Sequence, residues 1–320
     1  MLLQSVTGIA AVVTAAAVFL IAIFLATAAW PAIRFNGGHF LTSLTWNSGN
    51  QYGSGKVTRN GVSALSGADF GIAVFIFGTL ASSGIAMLVA TPVAILVAIA
   101  LLFRVPQRFR LIINTLVELM AGVPSVVYGL WGITVVVPFI GSTFGPFITD
   151  HVGAVPFLGG SAGSGNGLFA AGLILAIMVL PIMAATMRDI IATVPQATIE
   201  GSIALGATSW QTVTRAVIPA VGSGLVGAGL LALGRALGET IAVLMVSGSA
   251  MNQLPQNLFA PINTMAAAIV SQLDSALTDS SGLSVSSLAE IALVLFAMTL
   301  LVNIVARLIV RAAAGSRVTF

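Results

Sequence analysis

The sequence predicts an all-α, polytopic membrane protein with six transmembrane helices. Three observations carry that reading. The 320 residues are 58% hydrophobic and only 7% charged. Their mean hydropathy is +1.09, and no ordinary soluble domain has such a composition. The apolar residues also run continuously over span-length stretches, without the alternation that a transmembrane barrel requires.

The spans are expected near 7–33, 70–103, 111–140, 167–193, 216–247 and 287–310. Each supplies the ~20 apolar residues that cross the hydrocarbon core. The first is longer than the ~7–15 residues of a signal-peptide core and no basic residue precedes it, so it reads as a retained span. Pro124 and Pro181 predict kinks in the third and fourth spans, with Gly122 loosening the backbone ahead of Pro124. Glu118 lies about 5 Å into the third span by helix rise and reads as a local cap or partner. With no internal repeat and no soluble domain, residues 1–320 read as a single transmembrane domain.

Orientation follows from Lys and Arg. Arg104, Arg108 and Arg110 lie between spans two and three, Arg188 and Arg215 flank the segment between four and five, and Arg307, Arg311 and Arg317 end the chain. Six spans place these eight on one side and Arg34, Lys56 and Arg59 on the other, which predicts both termini in the cytoplasm. The external loops are then 34–69, polar and rich in Gly, Ser and Asn, and the Gly-rich 141–166.

Several chemistries are excluded. There is no cysteine and there are only two histidines, His39 and His151, so thiolate nucleophiles, Cys metal sites and His-rich relays are absent. Asp150 and His151 supply too few ligands for a metal and read as a solvated turn. The net charge of +3 is spread along the chain and makes no nucleic-acid footprint. "QYGSGKVT" fails as a phosphate loop: Asn50 stands where Gly is needed and Val57 where Ser or Thr is needed. The "GSG" triplets at 163–165 and 222–224 lack a base within reach of their serines, and helix packing by small residues explains the second. No catalytic residue, no metal and no cofactor is expected on this chain.

The 194–215 segment carries more information. Thr193 and Gln196 have capping-box spacing around Pro195, and a short helix runs through Glu200 to Leu205. Gly206 suits its stop, and Thr208 with Gln211 repeats the capping-box spacing to start a second helix. Pro219 marks entry to the fifth span. Ile199, Ile203, Gly206 and Trp210 fall on one face if the turn is tight. No Lys or Arg lies on the polar face from Glu200 to Thr214, which disfavours a helix resting on lipid and favours a docking element.

Glu200, Gly206 and Pro219 fit the E-A-A…G…P loop of bacterial ABC-importer permeases, although "EGS" replaces "EAA" and Ala216 stands where the pattern prefers Ile. "FGTLASS" at 77–83, "ELMAGVPSVVYGLWG" at 118–132, "ILAIMVLPIMAATMRD" at 174–189, "LGRALGETIAV" at 233–243 and the closing "LAEIALVLFAMTLLVN" resemble the phosphate ABC importer permeases of the PstC type. The resemblance covers about 70–310. It implies the type I importer permease fold and transport of inorganic phosphate across the bacterial plasma membrane. It also implies a second permease of the PstA type, two ATPase subunits that bind ATP and Mg, and an external phosphate-binding protein. Glu200, Gly206, Thr208, Trp210 and Pro219 would then couple the permease to the ATPase. Arg188–Asp189 would flank that segment as an interfacial pair. The alternatives are an ABC permease for sulfate or molybdate, and a stand-alone secondary transporter, which would show inverted repeats.

Arg235 and Glu239 raise the last question. Four residues apart in an apolar run, they are expected on one helix face with Cβ atoms about 6 Å apart. An Arg at mid-membrane costs roughly 2.5–3.5 kcal/mol on insertion scales, so such a residue is first read as functional. Guanidinium holds two phosphate oxygens at once. Arg235 therefore reads as the anion's partner on the path, with Glu239 neutralising it when the path is empty. Thr79, Ser82 and Ser83 on span two and Ser125 with Tyr128 on span three are candidate path hydroxyls; helix packing explains them equally well.

Overall fold

The computed structural model describes residues 2–315 apart from 51, 52 and 54. Arg317 of the charge count, and Gln51, Tyr52 and Ser54 of the failed phosphate loop, lie outside the described residues. In chain order the helices are α1 (Leu2–Asn36), α2 (Ala73–Phe103), α3 (Gln107–Ala121), α4 (Ser125–Val152) and α5 (Leu168–Ala192). They continue with α6 (Gln196–Ala204), α7 (Ser209–Leu237), α8 (Ile241–Val246), α9 (Met265–Leu277) and α10 (Leu283–Gly315). Among the described residues, six of them, α1, α2, α4, α5, α7 and α10, are long and apolar enough to cross a membrane.

Two spans differ from the sequence expectation. The third was expected over 111–140 but occupies Ser125–Val152. Gly122 and Pro124 separate two helices instead of kinking one: Pro124, at φ −58 and ψ 140, is the N-cap of α4. The stretch ahead of it forms α3, which has no buried residue and alternates polar with apolar faces. Asp150 and His151 are exposed, as expected of a solvated pair, but they sit in the last helical turn of α4, where the His151 ring stacks on Phe147 at 4.4 Å. The fifth span, expected to run unbroken over 216–247, stops at Leu237, and α8 restarts at Ile241. Pro181 lies inside an uninterrupted α5.

Three wide π turns punctuate the spans, at Gly132–Val136, Ile140–Phe144 and Val213–Val217. Each ends two residues before a proline: Pro138, Pro146 and Pro219. Proline has no N–H to give to the preceding turn and its ring crowds the carbonyl four residues back. A wider turn absorbs both effects, so the helix continues where an ideal α-helix would bend or break.

The core has two parts. In the larger, α2 and α5 pack along most of their length. Ala86, Ala90, Ala94 and Ala98 recur every fourth residue and are all fully buried. Small residues on one stripe let two backbones approach closely, which substitutes for the hydrophobic drive that lipid does not supply. The smaller part joins the outer end of α1 to α9, α10 and a strand-bearing loop. In that loop β1 (Trp46–Asn47) pairs with β4 (Asp69–Phe70), and β2 (Lys56–Arg59) pairs with β3 (Val62–Leu65), both antiparallel. Trp46 meets Phe70 edge-on at 5.0 Å within the loop and Phe75 of α2 at 5.8 Å, which fixes the loop on the helices. This loop defines a hairpin face of the molecule. The opposite, basic face carries Arg104, Arg108, Arg110 and the turn between α6 and α7.

Candidate functional site

Two helix interruptions hold the residues that the sequence singled out. The first lies at 238–240. Gly238 closes α7 with its N–H on the Ala236 carbonyl. The Glu239 N–H also reaches Ala236 O, at 3.3 Å. Glu239 has therefore left the helical path, and its Oε1 accepts from the Ala242 N–H at 3.4 Å, at the start of α8. Thr240 Oγ1 donates to Gly238 O at 3.2 Å across the same break. Arg235 and Glu239 thus do not share a helix face, and the expected ion pair is not among those formed by the described residues.

Arg235 is exposed on this chain and Glu239 is half-buried. Its depth follows from packing. A Cβ at Gly224 would touch Ile190 of α5 at 2.8 Å, so those two residues are level. Arg235 lies eleven residues further along α7, roughly 16 Å of helix rise. That is close to the middle of the 25-residue α5. The guanidinium also lies within electrostatic range of the Tyr128 hydroxyl, which itself donates to Met120 O at 2.7 Å and ties α4 back to α3. A full charge at mid-depth, without a carboxylate beside it, is stable only where water or another polar surface reaches it.

The remaining path candidates lie on α2 and at the start of α4. Thr79, Ser82 and Ser83 are each buried inside the bundle. Thr79 Oγ1 donates to Phe75 O at 2.8 Å and accepts from the Met265 N–H at 2.9 Å, so it holds the start of α9. Ser82 Oγ donates to Gly78 O at 2.7 Å. Ser83 Oγ is buried with no hydrogen-bond partner. Ser125 is half-buried at the first position of α4, one turn before Tyr128. Tyr128 therefore lies by the Arg235 surface, with Ser125 one turn before it on α4, while Thr79 and Ser82 spend their hydroxyls on backbone carbonyls inside the bundle.

The second interruption lies between α6 and α7. Gly206 has φ +87, the left-handed region. Its N–H bonds Ile203 O at 2.9 Å and the Ala207 N–H bonds Ser202 O at 3.2 Å, the paired pattern of a Schellman stop. Thr208 then caps α7 reciprocally: Oγ1 accepts from the Gln211 N–H at 3.3 Å, and Gln211 Oε1 accepts from the Thr208 N–H at 2.9 Å. The capping box expected at Thr193 does not form. Pro195 takes the N-cap of α6, and Thr193 Oγ1 donates instead to Ile190 O at 2.7 Å. Around this rigid turn Glu200 is exposed, and Leu205 and Trp210 are 91% and 59% exposed. Ile199, Ile203 and Trp210 do share one groove, but Gly206 lines a hollow on the other side, with Ser202 and Arg215. Pro219 follows the third π turn.

Sequence reasoning missed two connections. Arg188, only 13% exposed, bonds Glu118 at 3.3 Å as well as its neighbour Asp189 at 2.8 Å. It therefore pins α3 to the end of α5, where a solvated interfacial pair was expected. Glu290 is buried in α10 and accepts from Asn36 Nδ2 at 3.0 Å, linking α1 to α10. The glutamate's place in an apolar run was the available signal for the second; nothing local marks the first, whose partners are 70 residues apart.

Comparison with known proteins sharpens the picture. Residues 90–315 match the family described as binding-protein-dependent transport system inner membrane component. The chain is 48% identical over 283 residues to phosphate transport system permease protein PstC 1 of Mycobacterium tuberculosis, covering 88% of this chain and 83% of that one. It is 39% identical over 290 residues to PstC of Mesorhizobium japonicum, covering 90% and 82%, and 36% identical over 294 residues to PstC of Haemophilus influenzae, covering 91% and 86%. A chain of the MetNI methionine ABC transporter, solved in inward-facing conformations, superposes with a TM-score of 0.51 at 19% identity, over 76% of this chain and 94% of that one. At that identity the likeness speaks for the fold alone.

Proposed function

The chain belongs to the binding-protein-dependent transport system inner membrane components, and from that premise we infer that it is the permease subunit of an ATP-driven importer of inorganic phosphate. It is a multi-pass inner-membrane protein that works with other components of an ABC importer. The names of its relatives support phosphate as the cargo. The observation that carries the reading on this chain is Arg235: a guanidinium without a carboxylate partner among the described residues, exposed at mid-depth beside a helix break. Phosphate carries a charge that hydrocarbon will not accept, and a planar bidentate donor offsets its loss of water.

In this reading the exposed side of α7 and α4 meets a second permease of the PstA type, and the path runs along that seam. Arg235 and Ser125 would line it, and Glu239, held at the break, would compete with the anion for Arg235 only when α7 and α8 shift. The basic face lies in the cytoplasm, with both termini. There the Gly206 turn, with Glu200, Thr208 and Trp210 around it, would dock one of two ATPase subunits, which bind ATP and Mg. The hairpin face would receive the external phosphate-binding protein.

The test is Arg235→Gln in a complex that still assembles and hydrolyses ATP. Loss of one charged hydrogen-bond partner predicts uptake lower by about 10- to 100-fold. Uptake within a factor of two of wild type removes Arg235 from the path. Competition of uptake by arsenate but not sulfate separates phosphate transport from that of other oxyanions.

A further inference from the structure

We propose that the groove between the end of α2 and the α6–α7 turn is a binding site for one anionic glycerophospholipid. The groove has a volume of ≈ 330 Å³. Leu96, Ile99, Ala100 and Phe103 form one wall; these positions follow i, i+3, i+4, i+7 and so make a single stripe along α2. Ile199, Ile203 and Trp210 form the other wall. Arg104, the C-cap of α2, lines the groove at its basic-face end. Its side chain is exposed and has no ion pair or hydrogen bond among the described residues.

Two features select a lipid over a protein partner. The apolar stripe runs inward from the end of the span by seven residues, roughly 10 Å of helix rise. A soluble subunit docking beneath the membrane does not reach that far, whereas an acyl chain lies there parallel to α2. The charge is also where a headgroup would be. Arg104 sits at the polar end of the stripe, beside the exposed Trp210, an aromatic and basic pairing suited to the headgroup level. A phosphodiester accepts hydrogen bonds from a free guanidinium, and basic pockets between helices on this side of a membrane take anionic headgroups. Because the second wall is the α6–α7 turn, the bound lipid would be part of the surface on which that turn rests.

The full chain, purified in mild detergent with the subunits that accompany it, provides the test. Phosphatidylglycerol retained per copy is counted by native mass spectrometry, and phosphatidylglycerol and phosphatidylcholine are then titrated back. Wild type is expected to keep phosphatidylglycerol in preference to phosphatidylcholine. Arg104→Gln should lower its affinity about tenfold or more, the loss expected when one charge-assisted contact is removed. Arg104→Lys should retain most of the affinity. Ala100→Phe, which fills the groove and leaves the charge, should lose both lipids. A photoreactive residue at Leu96 should capture lipid in unmodified membranes, independently of how the other variants fold. Capture of a protein subunit from position 96, or equal retention of phosphatidylglycerol by wild type, Arg104→Gln and Ala100→Phe, overturns the proposal.

Discussion

The interruptions at 205–208 and 238–240 use the same residue to opposite ends. Gly206 and Gly238 both have open space around a would-be Cβ, with nothing within 4 Å of the first and only carbonyls at 3.8 and 3.9 Å from the second. The difference lies in the backbone. Gly206 is left-handed at φ +87, and the amides from Leu205 to Thr208 and that of Gln211 all have acceptors, through a Schellman stop on one side and a capping box on the other. Gly238, at φ −92 and ψ 0, occupies a conformation that any residue adopts. The break after it is closed by one 3.4 Å contact from Glu239 and one 3.2 Å contact from Thr240. The first interruption is a fixed corner. The second is a weakly held gap that the helix could heal, next to Arg235, a mid-depth charge with no carboxylate partner among the described residues.

The comparison breaks most visibly if the gap is healed. Gly238→Ala with Thr240→Leu removes a helix breaker and a side-chain tie, and the glycine alone is worth about 0.8–1.0 kcal/mol of helix propensity. A continuous helix would bring residue 239 beneath Arg235, and phosphate uptake should fall about tenfold while ATP hydrolysis persists. Unchanged uptake would show that the gap has no part in transport. At the fixed corner the sign reverses: Gly206→Ala should cost about 1–2 kcal/mol of local stability because an L side chain resists the left-handed region. Gly206→Asn should cost less. Hydrogen exchange of the Ala207 amide reads both, and equal exchange in the two variants would remove the backbone argument. A smaller effect is expected from Thr208→Ala, about 1 kcal/mol, with Thr208→Ser near neutral; exchange at the Gln211 amide is the check.

A third helix start serves as a control outside the spans. Burial raises the Asp279 carboxyl, but hydrogen bonds from Ser284 and Ser281 outweigh it and hold the group below its ordinary value of 3.8. Its oxygens accept from Ser284 Oγ and Ser281 Oγ at 2.7 Å each. A depressed pKa gives stability that is complete above the unfolded value and lost as pH falls through the folded one. Protection of the Ser284 amide should therefore be flat from pH 8 to about 5 and decline only below about 4. A decline already complete at pH 5 would contradict the assignment.

Much of this was legible in the chain. The six spans follow from hydropathy, and Gly206, Thr208 and Gln211 announce the corner because turn and cap chemistry is local. What stayed hidden depends on averaging or on distance. Residues 111–121 are apolar enough to merge with the stretch after Pro124, so a window sees one span where Gly122 and Pro124 make two helices. Gly238, Glu239 and Thr240 are three residues in a long apolar run, and the run masks the gap. Spacing alone suggested an Arg235–Glu239 pair; spacing assumes a helix that the structure interrupts. The Arg188–Glu118 bridge and the burial of Thr79, Ser82 and Ser83 are decided by tertiary packing, which leaves no local trace.

The four alanines of α2 give the molecule a stator. With alanine the largest group on that stripe, sliding or twisting α2 against α5 meets steric resistance along most of their length, which suits the pair to move as one beam. Any alternation between outward and inward openings then falls to the parts packed around it, α3, α7 and the paired α4 and α8, whose runs are broken at Gly122–Pro124, at 205–208 and at 238–240.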